Sequence, residues 1–254
     1  MADWIADLER ARRAWHCGEC EDRGDLWRAA DRMGVARGDW DGLFRALSDR
    51  AAAAKQSSAH EAERIYLLLA WLGRVQACGL PEGAASSVLV ATRGLSLLAF
   101  FYLGEGRLAE AERVYGQVLE IAERVFRESP RDLADYLWPM ACIQIHLGAL
   151  QRAEQIMLRS LAIQPRSSVV FGQSALLLAA ILARQGREAE SRDRLQQALA
   201  SWARILGAEE EVAACLASNA RQWACWGLHA EAAALQKIAQ QGLDPEAGLE
   251  ISPC

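Results

Sequence analysis

Large and small apolar residues recur at helical spacing along most of this chain, and from residue 92 onward the whole pattern repeats. Each copy is centred on a glycine, at Gly106, Gly148, Gly186 and Gly227, so that successive copies are about 42, 38 and 41 residues apart. Apolar residues three and four positions apart indicate a helix, and a glycine between two such stripes indicates the turn that joins two helices. A period near 40 residues therefore predicts an all-α fold of stacked helical hairpins.

The same kinds of residue occupy the same positions in each copy. Before the glycines lie Leu95, Leu98, Ala99 and Tyr102, then Leu137, Met140, Ala141 and Gln144, then Ala175, Leu178, Ala179 and Leu182, then Leu216, Asn219, Ala220 and Trp223. After them lie Ala111, Tyr115 and Val118, then Ala153, Met157 and Ser160, then Ser191, Leu195 and Ala198, then Ala232, Gln236 and Ala239. Over residues 92–245 this register resembles the tetratricopeptide repeat in its long-helix variant, which is similar to kinesin light chain. The resemblance implies a right-handed α-solenoid of stacked antiparallel helix hairpins.

Before residue 92 the periodicity is weaker, but four segments still carry an apolar face at helical spacing. They are Trp4 to Cys20, Asp25 to Ala36, Asp39 to Lys55 and His60 to Cys78, with Asp25 and Asp39 as candidate helix caps. We expect residues 1–80 to form two degenerate hairpins that pack on four repeats over 81–245, followed by a loose tail over 246–254. The best candidate hinge is 78–87, which holds a proline and two glycines.

Composition excludes several classes of function. Lys and Arg together number 28 and Asp and Glu 33, and the acidic excess falls after residue 204, where three glutamates, Glu209, Glu210 and Glu211, precede a helical stripe. No clustered basic face is present, so we expect no nucleic-acid partner. The N-terminus lacks a secretory signal, and Arg93 interrupts the apolar stretch 84–104 at a cost of about 2.5–3.5 kcal/mol for membrane insertion. We therefore predict a cytoplasmic protein without membrane insertion.

Three neighbouring residues, His16, Cys17 and Cys20, are the nearest approach to a metal or redox motif. Two cysteines three positions apart on a helix share a face, which suits zinc. A structural zinc site needs a second pair, however, and the chain has no other such pair, no phosphate-binding loop and no nucleophile elbow. The seven cysteines are scattered, as is typical of reduced thiols in a cytosolic protein. We expect no metal, no cofactor and no catalytic residues.

The resemblance also implies a binding surface, because the first helix of each hairpin in this family lines a concave groove. The groove residues are then Arg93, Ser96 and Phe100, followed by Trp138, Cys142 and His146, then Gln173, Leu176 and Arg184, and finally Arg221. Ser96, Phe100, Trp138 and Cys142 stand where carboxylate-clamping members have Lys and Asn, so a carboxylate clamp is not expected. Alternatively, the N-terminal helices or a second copy of the chain cover Phe100, Trp138 and Leu176. His146, near a helix end, either binds free carbonyl groups or faces the groove.

These observations favour a non-catalytic adaptor, whose groove binds a helix or peptide of another protein. A second hypothesis is a regulatory sensor or inhibitory subunit that changes conformation around the hinge when a small ligand or signalling peptide binds. A third is an enzyme or metal protein that uses Cys17 and Cys20. The partner of the adaptor would be a different protein or a second copy of this chain.

Overall fold

The structure is a computed structural model that describes residues 3–16, 24–77, 85–127, 129–241 and 249. The α-helices in this part of the chain are α1 (Asp3–His16), α2 (Gly24–Met33), α3 (Trp40–Lys55), α4 (Ala59–Ala77), α5 (Ala85–Gly104), α6 (Leu108–Val125), α7 (Ala134–His146), α8 (Leu150–Ile163), α9 (Val169–Arg184), α10 (Glu188–Leu206), α11 (Glu209–Cys225) and α12 (His229–Gln241). A 3₁₀ turn, Pro130–Leu133, precedes α7. No strand occurs in these ranges, and the predicted all-α fold is confirmed.

The four turn glycines have the backbone conformation that the repeat pattern predicts. Gly106, Gly148, Gly186 and Gly227 have φ between 71° and 76°, a left-handed conformation that costs little only without a Cβ atom. In each turn the amide of the following residue donates to the carbonyl of the residue four positions before the glycine, as Arg107 does to Tyr102 at 2.8 Å. This bond pattern caps the free carbonyl groups at the end of the first helix. The repeat register is therefore confirmed at its turns.

The chain divides into two compact units, unit 1 (Met1–Val125) and unit 2 (Phe126–Cys254). In unit 1, α1 packs on α2, α3 on α4, and α5 on both α4 and α6. Helices α4 and α5 are held especially close at Gly94, where a Cβ would overlap the carbonyl oxygen of Leu69. Before residue 80, α1 thus packs with α2 and α3 with α4, while the predicted division into a 1–80 segment and four repeats stays a prediction.

Unit 2 contains three further hairpins, formed by α7 with α8, α9 with α10 and α11 with α12. Helices α9 and α10 meet at Gly172, where the indole of Trp202 lies against the glycine and donates from Nε1 to the carbonyl of Val169 at 3.1 Å. Trp202 is completely buried. A glycine on one helix thus makes room for a large side chain on the next, as close packing of helices requires.

The N-terminal details agree only in part with the sequence predictions. Asp39 caps α3, since its carboxylate accepts from the amide of Gly42 at 2.8 Å. Asp25 lies inside the first turn of α2 instead, because that helix already begins at Gly24. The predicted boundary at 80 and 81, most of the candidate hinge and nearly all of the predicted tail over 246–254 fall outside the described residues, so these remain predictions. Among the described helices, none combines the length and the apolar character that a membrane span requires.

Candidate functional site

A pocket of about 240 Å³ lies in unit 2 on the side formed by α7, α9 and α11. These are the first helices of the three hairpins of this unit. We call this cavity the unit 2 pocket. It is lined by Ala134, Asp135, Trp138, Pro139, Val170, Gln173, Ser174, Gln222 and Trp226. Trp138 and Gln173 are two of the groove residues that the repeat register predicts, so the structure brings these two into one site.

Two indoles form one wall of the unit 2 pocket. Trp138 of α7 and Trp226, at the end of α11, meet edge to face with ring centroids 5.4 Å apart. Close to them, Nε2 of His146 is 2.7 Å from the backbone carbonyl oxygen of Trp226. His146 therefore binds a carbonyl at a helix end, which was one of its two predicted roles. Trp138 is only 9% exposed, and the ring of Trp226, a residue of the same unit, packs against it.

Asp135 supplies the charge of the unit 2 pocket. Asp135 is exposed at the surface, but nearby protein atoms partly desolvate its carboxyl group and so raise its pKa, and the neighbouring Asp132 carboxylate raises that pKa further. Asp135 forms no ion pair with any residue that the structure describes. The pocket thus combines an uncompensated carboxyl group with the side-chain amides of Gln173 and Gln222 and two indoles.

Arg184 has a role within unit 2 that the register did not predict. Its Nε is paired with a carboxylate oxygen of Glu231, a residue in the first turn of α12 that is only 1% exposed. The other carboxylate oxygen of Glu231 has no hydrogen-bond partner among the described atoms. The guanidinium of Arg184 therefore compensates a buried charge within unit 2, and its place in a partner-binding groove stays a prediction.

Cys142 and Leu176 are corrected, because both are 0% exposed. Burial raises the pKa of the Cys142 thiol well above its ordinary value, and the Glu231 carboxylate adds to this rise. A protonated, enclosed thiol is neither a nucleophile nor a contact surface. The register placed both residues on the correct helices, but their side chains pack in the interior.

The remaining predicted groove residues lie apart from the unit 2 pocket. In unit 1, the guanidinium of Arg93 lies 4.3 Å above the ring of Phe44 and 3.5 Å from a carboxylate oxygen of Asp41, so it is engaged by α3. Ser96 and Phe100 are half-buried on α5. In unit 2, Arg221 is exposed on α11 but does not line the pocket.

Sequence reasoning missed Trp226 as a site residue. It follows the last residue of α11 and directly precedes the turn glycine Gly227, so it lies outside the helical stripe from which groove residues were read. A tryptophan next to a turn glycine was the only available signal. No group of three metal-ligating side chains occurs in the described ranges. Cys17, Cys20 and the side chain of His16 lie outside them.

Comparison with known proteins supports the repeat assignment. The family model of the tetratricopeptide repeat matches residues 94–131 and 172–210. A Podosopora anserina structure, described as a kinesin light chain with nearly identical TPR-like repeats, is 22% identical with a TM-score of 0.51. The match covers 78% of this chain and 94% of that one. BtubC (BKLC) from P. vanneervenii is 16% identical with a TM-score of 0.53, over 95% of this chain and 91% of that one. No curated protein matches the sequence. The two structures show a shared fold, and the resemblance to kinesin-light-chain-like repeats is confirmed.

Proposed function

We propose that this tetratricopeptide-repeat protein is a non-catalytic adaptor, which binds a peptide or helix of another protein and holds one basic side chain of that partner in the unit 2 pocket. Repeats of this kind serve protein interaction in general. The observation that carries the finer proposal is the combination of the unpaired Asp135 carboxyl group with the indoles of Trp138 and Trp226.

The unit 2 pocket is large enough for one anchoring side chain but small for a drug-sized ligand. Its volume of about 240 Å³ is below the range of about 300–1,000 Å³ that is typical of small-molecule sites. Peptide-binding grooves commonly hold separate anchor residues in such shallow pockets. A pocket of this size therefore fits a single anchoring side chain, and the chemistry of its lining decides which kind of side chain it favours.

The chemistry of the pocket favours a cationic anchor. A Lys or Arg side chain would compensate the Asp135 carboxylate, and its stem would pack on the indoles of Trp138 and Trp226. The side-chain oxygens of Gln173 and Gln222 would accept further hydrogen bonds from it. Glu209, Glu210 and Glu211, exposed in the first turn of α11, add negative charge to the same unit.

The lining residues offer little for catalysis. Ser174, a hydroxyl-bearing residue of the pocket, is hydrogen-bonded to the hydroxyl of Ser160 at 2.8 Å and not to a base. A nucleophilic serine needs an adjacent base within hydrogen-bond reach. Cytoplasmic location stays part of the proposal, and the free thiols of Cys142, Cys215 and Cys225 suit a reducing compartment.

The test is a pull-down from the native cell with the full chain, followed by reconstitution. The variant Asp135→Lys reverses the charge of the pocket, and Asp193→Lys makes the same change on an exposed residue of α10, away from it. We expect a protein enriched by the wild type and by Asp193→Lys but lost with Asp135→Lys. A synthetic peptide from that protein should then bind purified wild type, and replacing its basic residue by alanine should weaken binding about tenfold or more. The proposal would be refuted if Asp135→Lys and Asp193→Lys captured the partner protein equally. It would also be refuted if replacing the basic residue of the peptide left its affinity unchanged.

A further inference from the structure

Unit 1 contains a second pocket whose charge is opposite to that of the unit 2 pocket. It has a volume of about 250 Å³, and we call it the unit 1 pocket. Arg12 of α1, Arg74 of α4 and Arg113 of α6 line it from three different helices, and no acidic residue belongs to its lining. Three guanidinium groups around one cavity produce a local excess of positive charge in a chain whose net charge is −5.

The arginines of the unit 1 pocket differ from their neighbours in lacking carboxylate partners. On α4, Arg64 is paired with Glu9 of α1 at 2.6 Å, and at the start of α6, Arg107 is paired with Glu63 at 2.8 Å. By contrast, Arg12, Arg74 and Arg113 form no ion pair with a described residue.

Two of these arginines have weaker interactions. Nη2 of Arg74 donates to the amide oxygen of Gln117 at 2.7 Å, which links α4 to α6 beside the pocket. Arg113 acts electrostatically on Glu110, a carboxylate that is already paired with Arg107. The positive charge of the pocket is therefore largely uncompensated.

The floor of the unit 1 pocket is apolar. Leu67 of α4, Leu95 and Leu98 of α5 and Val114 of α6 line it together with the indole of Trp71. Trp71 is only 7% exposed, and its Nε1 has no acceptor among the described atoms. A buried donor without an acceptor costs free energy. An apolar floor together with a rim of the three arginines Arg12, Arg74 and Arg113 suits an anion that also has an apolar part.

We propose that the unit 1 pocket binds a small organic anion, in which a carboxylate or phosphate is joined to an apolar stem of about six carbons. The guanidinium groups of Arg74 and Arg113 hold the anionic oxygens, since planar guanidinium donors match both carboxylate and phosphate. The apolar stem lies on the leucines and on the Trp71 ring. This site is independent of peptide binding in unit 2.

Isothermal titration calorimetry on the full chain tests the proposal with four probes: hexanoate, hexyl phosphate, hexylamine and acetate. We expect hexanoate or hexyl phosphate to bind with one-to-one stoichiometry, and the tighter of the two identifies carboxylate or phosphate as the natural class. Hexylamine has the wrong charge and acetate lacks the stem, so neither should bind measurably. Binding should weaken as salt rises, because the arginines of the rim are in contact with solvent.

Two variants of α6 provide the matched comparison. Arg113→Gln should weaken binding of the better probe about tenfold, because a charge-assisted hydrogen bond is lost. Arg124→Gln removes the same charge from an exposed position of the same helix outside the pocket and should change binding less than about twofold. Asp135→Lys in unit 2 should leave the titration unchanged. The absence of binding by either anion, equal binding of hexylamine, or equal effects of the two arginine variants would overturn the proposal.

Discussion

Replacing Arg184 by methionine should destabilise unit 2 strongly, because Arg184 is the described ion-pair partner of a buried carboxylate. Glu231 is 1% exposed, and only one of its two oxygens has a partner among the described atoms. Removing one member of a buried ion pair typically costs about 3–5 kcal/mol, since the remaining charge stays out of water. The side chain of Arg184 is itself 23% exposed, so water can partly replace it. We therefore expect the low end of that range, about 3 kcal/mol.

Urea denaturation followed by tryptophan fluorescence measures this loss, and a thermal scan should show a fall of roughly 10 °C in the midpoint of unit 2. Arg221→Met is the matched control, because Arg221 is an exposed arginine of the same unit. Its expected effect is within about 0.5 kcal/mol of zero. The double variant Arg184→Met with Glu231→Met should recover most of the stability, since apolar residues often replace a buried ion pair without loss.

The double variant separates two explanations of the result. If the unpaired carboxylate causes the loss, removing it restores stability. If lost packing of the arginine stem is the cause, the double variant stays as unstable as the single one. A single variant as stable as Arg221→Met would refute the argument from burial altogether.

Four further predictions concern backbone, packing, charge and thiol chemistry. Gly106→Ala should destabilise the protein by about 1–2 kcal/mol, because φ is 71° at this position. Gly116→Ala, at an open helical position of the same hairpin, should stabilise it by about 1 kcal/mol. Changes of the same sign in the free energy of unfolding, measured by urea denaturation, would contradict this prediction. Gly172→Ala should lower the free energy of unfolding by about 1–3 kcal/mol and shift the fluorescence of Trp202, because the new Cβ atom would overlap the indole of Trp202. An unchanged spectrum together with unchanged stability would contradict this packing. The pKa of Asp135 is raised above 3.8 in the folded chain, so the native state binds the proton of this group more tightly than the unfolded state does, and the wild type loses stability as this proton dissociates with rising pH. The stability of Asp135→Asn relative to wild type should therefore increase between pH 3 and 7. Denaturation midpoints whose difference changes in the opposite direction over this range would contradict this prediction. Iodoacetamide should label exposed Cys225 in the native protein but Cys142 only after unfolding, as peptide mapping would show; native labelling of Cys142 would disprove its burial.

Much of the fold follows from local sequence. Helices α3 and α4 match the predicted segments within one residue at each end, since the apolar stripe and the cap at Asp39 act within a few positions along the chain. The turn glycines are equally local, because a left-handed φ is a property of one residue. Sequence therefore determined where helices begin and turn, and which helices form hairpins.

The site was only partly predictable. Trp138 and Gln173, which the register assigns to the first helices of two hairpins, both line the unit 2 pocket, because each position follows from the face of its own helix. The register could not show that His146 meets Trp226 across 80 residues of sequence, or that Arg184 meets Glu231 across 47. Such contacts depend on the angles and distances between successive hairpins, which side-chain packing sets. Sequence by itself determined the helices, their turns and the faces they present; only the tertiary structure decided which of those residues are covered, which are ion-paired and which remain open to a ligand.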